Sequence, residues 1–86
     1  MDKNRLQLIL SRRLKTALFE AGMTCAELSR KAGMSTKTLS NIVRAKCLPS
    51  VDKVVLIAEN TGRSVDWLIG LTDDPVGHYD GKEIER

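Results

Sequence analysis

One histidine and two cysteines in 86 residues leave little material for a metal centre or a nucleophile–base pair. Cys25 and Cys47 lack the short spacing of a zinc site, and His78 is the single histidine, so no metal site is expected. In a reducing cytoplasm two such thiols are free, although Cys25 falls in the first turn of a helix, where the backbone field favours a thiolate. No nucleophile has a nearby histidine and no glycine loop could cradle a phosphate, so the chain is not expected to be an enzyme or to carry a cofactor. No apolar run reaches the length of a membrane-spanning helix. The opening MDKNRLQLILSRR interleaves charges with its apolar residues, unlike a signal peptide, and a cytoplasmic location is expected. Neither an internal repeat nor a low-complexity run is present, and the length suits one compact core rather than a catalytic cleft with its own lid.

What is present is unevenly charged. The net charge is +3, but residues 1–49 hold ten Lys/Arg against three Asp/Glu, a net of +7. Residues 50–86 hold four against eight, a net of −4. A basic half beside an acidic half fits a domain that faces nucleic acid and keeps a solvated or partner-facing end.

The hydrophobic spacing predicts an all-α chain of five helices. Leu6, Leu10, Leu14, Ala17, Leu18 and Ala21 trace one stripe at three- and four-residue intervals, giving a first helix over about residues 6–21, stopped by Gly22. Thr24 and Glu27 form a capping box, with Met23 and Leu28 at the staple positions, for a second helix over residues 25–32. Gly33 turns the chain, and Ser35 caps a third helix with Met34 and Leu39 as its staple. Lys46, Cys47, Leu48 and Pro49 connect to a fourth helix capped by Ser50, over about residues 51–61, with Val51, Val54, Val55 and Ala58 inward. Ser64 caps a short fifth helix over residues 65–69, closed by Gly70. Residues 1–71 thus form the folded domain, and residues 72–86, TDDPVGHYDGKEIER, read as a polar tail or linker.

The third helix carries the functional signal. At about 100° per residue, Thr36, Lys37, Ser40, Asn41 and Arg44 fall within roughly 140° on one side. Leu39, Ile42 and Val43 fall on the other, with Val43 near the boundary. An ordinary amphipathic surface helix has the same projection. The adjoining capped helix, the tight turn and the basic charge point instead to a helix that enters a groove of DNA.

These pieces resemble the lambda-repressor-like helix-turn-helix family, which includes phage repressors, Cro proteins and small bacterial regulators. The resemblance covers about residues 6–71 and rests on ELSRKAGMS, on Pro49-Ser50 and on Ser64-Val65-Asp66-Trp67-Leu68. It implies a five-helix DNA-binding domain whose third helix lies in the major groove of double-stranded DNA. The implied base readers are Thr36, Lys37, Thr38, Ser40 and Asn41, with Lys37 suited to guanine, Asn41 to adenine and the threonine methyls to thymine. Thr38 lies near the inward edge of the projection, where packing competes with reading. The implied phosphate contacts are Ser35, Arg44, Lys46 and the amide end of the second helix at Cys25.

The chain departs from relatives at several places. Cys25 stands where they place a phosphate-binding glutamine, which leaves the backbone amide as the dependable donor. Leu18 and Val43 stand where they pair arginine with glutamate, so an ion pair becomes an apolar contact if the two meet. Ala45 replaces a glycine, and any positive φ there costs more. Thr61 replaces a leucine.

The expected core is Leu14, Leu18, Leu28, Ala32, Met34, Leu39, Ile42, Val43, Val54, Ala58, Val65 and Leu68. Trp67 is expected half-buried, either as a core plug or as an anchor between subunits. Phe19 is expected to be exposed. Trp67, Ile69 and Leu71 are the candidate surface for a homodimer. Three functional classes follow. The first is a repressor of phage or mobile-element type, dimeric on a pseudo-palindromic operator. The second is an antitoxin-like module whose acidic C-terminal half holds a protein partner. The third is the DNA-binding piece of a longer repressor.

Overall fold

The computed structural model describes residues 1–75. Among them five helices follow in order: α1 (Lys3–Ala21), α2 (Cys25–Ala32), α3 (Thr36–Val43), α4 (Val51–Thr61) and α5 (Val65–Leu68). No strand occurs among the described residues. The all-α, five-helix expectation is met, and the ends of each helix follow from local chemistry.

Thr24 Oγ1 accepts from the Glu27 amide at 3.1 Å, while the Thr24 amide donates to Glu27 Oε1 at 2.9 Å, closing the predicted capping box. Ser35 and Ser64 cap α3 and α5 by accepting from the amides of Thr38 and Trp67. Ser50 holds the N-cap position of α4, but its hydroxyl donates to the Asp52 carboxylate and makes no side-chain cap. α1 begins earlier than its apolar stripe suggests, because Asp2 caps it by accepting from the Arg5 amide at 2.8 Å. Gly33, with φ +69°, turns the chain between α2 and α3. Ala45 takes φ +58°, a left-handed conformation that favours glycine, the residue the resemblance implies there.

The core is one cluster built from all five helices. Leu10, Leu14, Leu28, Leu39, Ile42, Ile57 and Leu68 are almost fully enclosed. Of the expected core, Val43 and Val65 are only half-buried and pack at its edge. On α4 the inward stripe is Val54, Ile57 and Ala58, not the predicted set with Val51 and Val55. Val51 sits in the first turn of α4 and stays 78% exposed. Val55 lies on the outer flank, about 100° round from Val54. On α1, Leu6 is half-buried and Ala21 exposed, while Ser11 joins the core. Thr61, in place of a leucine, satisfies its hydroxyl by donating to the Ile57 carbonyl at 2.7 Å.

Trp67 is buried, not half-buried. The Arg13 guanidinium lies 4.7 Å from its ring centroid and that of Arg63 lies 5.9 Å away, so two cations cover what the core does not. Arg63 is held by Glu20 at 2.6 Å, and Arg13 by Asp73 at 3.0 Å and the Thr72 carbonyl at 3.3 Å. The Ser64 amide donates to the Pro75 carbonyl at 2.8 Å. Residues 72–75 therefore lie against α1 and the start of α5. The rest of the predicted tail, with His78, lies outside the described residues.

Two backbone positions give opposite expectations. Ala45→Gly relieves a left-handed alanine and should stabilise the fold by roughly 0.5–1 kcal/mol. Gly70→Ala should destabilise it, since Gly70 has φ +87° and an added Cβ would lie 2.8 Å from Ile9 Cγ2. Urea denaturation of the two variants checks both signs, and a less stable Ala45→Gly would contradict the strain reading.

Candidate nucleic-acid interface

α2 and α3 meet through a turn fixed at several points. The Met34 amide donates to the Ser29 carbonyl at 3.0 Å, and Ser29 Oγ donates back to the Met34 carbonyl at 2.5 Å. Met34 itself is buried, so the turn is pinned by packing as well as by hydrogen bonds. From this turn α3 runs with Leu39 and Ile42 buried and its opposite side open.

The predicted readers occupy that open side to different degrees. Thr36 and Lys37 are exposed, whereas Thr38, Ser40 and Asn41 are half-buried. Among the described residues no hydrogen bond engages the side chains of Lys37, Ser40, Asn41, Arg44 or Lys46, which leaves their donors and acceptors available. Thr38 differs: its hydroxyl accepts from Ser35 Oγ at 2.7 Å, which commits the Ser35 proton to the start of the helix. Ser35 is exposed, but a phosphate contact through its hydroxyl competes with that cap. Thr36 Oγ1 lies 3.3 Å from Ser29 Oγ.

The flanks supply charge. Arg44 and Lys46 are exposed just past α3. Residues 28–51 carry Arg30, Lys31, Lys37, Arg44 and Lys46 and no acidic residue, so nothing in the two-helix unit beyond Glu27 offsets the positive field. At the start of α2, the Cys25 side chain packs against the core and does not project outward. The amides of Cys25 and Ala26, which no helical carbonyl can reach, are what this end offers to an anion.

The dimer candidates are redistributed. Trp67 is enclosed and has little surface left for a partner, Ile69 is half-buried, and Leu71 is 68% exposed. Ile69 instead helps to line an apolar hollow of about 320 Å³, walled also by Leu6, Leu10, Leu48, Pro49, Val51, Val54 and Val65. Sequence reasoning missed this hollow because it lies between the ends of elements distant in the chain. It also missed Ser11 and Ser29, the two buried polar residues among those described.

A short capped helix, a left-handed turn and a second helix open on one polar face define a helix-turn-helix DNA-binding domain. A helix-turn-helix family model matches residues 14–68. The chain is also 30% identical over 64 residues to the uncharacterized HTH-type transcriptional regulator YobD of Bacillus subtilis (strain 168). That match covers 74% of this chain and 57% of the relative's length. The chain belongs to the lambda-repressor-like helix-turn-helix family. No helix among the described residues is long and apolar enough to cross a membrane.

The capping box gives a pH dependence. The hydrogen bond from the Thr24 amide holds the Glu27 carboxyl below its ordinary range, against a smaller opposing effect of burial. A lowered folded value means that the contribution is complete above the ordinary glutamate range. It disappears as pH falls through the lowered value. Glu27→Gln should therefore be less stable than wild type at neutral pH, and the gap should narrow as pH falls below the ordinary glutamate range. A gap in urea midpoint that stays constant on acidification would show that the charge contributes nothing.

Proposed function

We propose that the protein is a transcriptional regulator of the phage- or mobile-element-repressor type, which binds a pseudo-palindromic operator as a homodimer. The observation that carries this reading is the open face of α3. Lys37 and Asn41 present unengaged donors and acceptors there, and Arg44 and Lys46 follow within one helical turn. In this reading α3 lies in the major groove with Thr36, Lys37, Thr38, Ser40 and Asn41 toward base edges. Arg44, Lys46, Ser35 and the α2 amide end hold the phosphates.

The test separates base from phosphate contacts. Lys37→Ala and Asn41→Ala should each lose about 1–3 kcal/mol of specific binding and relax preference at one base position. A mobility-shift panel that shows uniform weakening across all sequences would reassign them to phosphates. Arg44→Ala and Lys46→Ala should each lower the slope of log K against log salt by about one. An unchanged slope in the double variant would remove them from the phosphate set.

The dimer follows from affinity. One small module buries limited surface on DNA, and specific affinities near 10⁻⁸ M, in order of magnitude, generally require more than one. A second copy placed about 34 Å away, one duplex turn, supplies it. The surface assigned to this contact is apolar, Ile69 and Leu71 with the hollow that Ile69 lines, because in this reading α3 and its flanks are given to DNA. Sedimentation equilibrium with a single duplex site should give two chains per duplex, and saturation by one chain over one half-site would reject the dimer.

A further inference from the structure

The buried polar side chains among the described residues are Ser11 and Ser29; one hydroxyl donates to the last carbonyl of the recognition helix and the other to the carbonyl of Met34, in the turn that leads into it. At the far end, Ser11 Oγ on α1 donates to the Val43 carbonyl, across 32 positions of chain. The neighbouring carbonyls of Ser40, Asn41 and Ile42 already accept from the amides of Arg44, Lys46 and Ala45. The Val43 carbonyl is one of the acceptors that a helix end leaves without an internal partner, and Ser11 supplies it. At the near end, Ser29 on α2 holds Met34 through both its carbonyl and its hydroxyl. A serine hydroxyl has one proton, and here it goes to Met34. The 3.3 Å contact with Thr36 Oγ1 therefore has Thr36 as the donor. Ser29 thus also fixes which way the first reader's hydroxyl points, with its proton turned to Ser29.

We propose that Ser11 and Ser29 are positioning residues for DNA recognition: they set the tilt and register of α3 from behind, without touching the nucleic acid. The proposal rests on the reading of α3 as the base-reading helix. The reason is directional. Leu39 and Ile42 hold α3 on the core by apolar contacts, which resist separation but not small rotations about the helix axis. A hydrogen bond at each end, to a different neighbouring helix, resists both. Base readout needs side chains held to within a few tenths of an ångström, whereas attraction to phosphates tolerates a small rotation.

Four variants test this, Ser11→Ala, Ser29→Ala, Ser11→Cys and Ser29→Cys. Alanine raises helix propensity and removes the donor, so α1 and α2 should remain folded. Cysteine restores bulk but is a weak donor. Binding is measured to the best duplex selected by the wild-type protein from a random pool, and to a scrambled duplex of the same length. Each variant should lose roughly three- to tenfold in the ratio of the two affinities, the range of one net hydrogen bond. Affinity for the scrambled duplex and the salt slope should stay at the wild-type values. Ile57→Val, a core truncation away from α3, serves as the stability control and should leave the ratio unchanged. If the cysteine variants regain the wild-type ratio, bulk and not the hydroxyl matters, and the proposal fails. It also fails if both affinities fall together or the variants do not fold. A wild-type protein with no preference for any duplex over its scramble would overturn the reading of α3 itself, an outcome distinct from these.

Discussion

α3 is only eight residues long, and an isolated helix of fewer than roughly 12–15 residues is marginal in water. Its existence depends on Leu39 and Ile42, both almost fully enclosed by the other helices. Burying two such side chains contributes on the order of 1.5–3 kcal/mol each, enough to offset an unfavourable helix nucleus. The same requirement limits the surroundings. A helix that presents one face to DNA can be packed only from behind, so α1 and α2 must supply its whole anchorage. The rest of the molecule is arranged around that asymmetry. α4 and α5 close the core behind α1 and α2, and eight of the eleven acidic residues fall in the half of the chain that follows α3.

Features that depend on neighbours in sequence were legible. The capping box at Thr24 and Glu27, the turn at Gly33 and the caps at Ser35 and Ser64 each need three or four consecutive residues, and all formed as expected. The polar face of α3 followed from helical periodicity alone. Features that depend on juxtaposition were not legible. Nothing local places Arg13 over the Trp67 ring or ties it to residues 72 and 73, about sixty positions away. The burial of Trp67 depends on those contacts, and so does the return of residues 72–75 onto the domain. Val51 misled for a related reason. Helical period gives the direction of a side chain but not whether a neighbour extends far enough to cover it.

Several residues do two tasks, and the sequence displays only one of them. Ser35 reads as a cap, but its hydroxyl also engages Thr38, which reduces what either offers to DNA. Cys25 marks the start of α2, but its side chain belongs to the core edge, so the amides and not the thiol face outward. Arg13 and Arg63 would add to a basic surface in any count of charges. Each is instead paired with a carboxylate and spread over an indole, which removes them from the field available to DNA. Among the described residues, Lys37, Arg44 and Lys46 on α3 and its flanks have no such carboxylate partner.

The fate of the α1–α3 contact shows why orientation and stability are separable here. The resemblance to relatives implies an arginine–glutamate pair at Leu18 and Val43, a tie that is both directional and costly to desolvate. In this chain Leu18 is buried and Val43 packs at the core edge, so cohesion is apolar and needs no desolvated charge. Apolar cohesion alone leaves a short helix free to roll. Ser11, two helical turns before Leu18, donates to the carbonyl of the same Val43, so direction re-enters through a neutral hydroxyl at a small desolvation cost. Because that bond uses the backbone of residue 43 and not its side chain, it persists whatever side chain stands there. The position can therefore change from charged to apolar without releasing the end of the recognition helix.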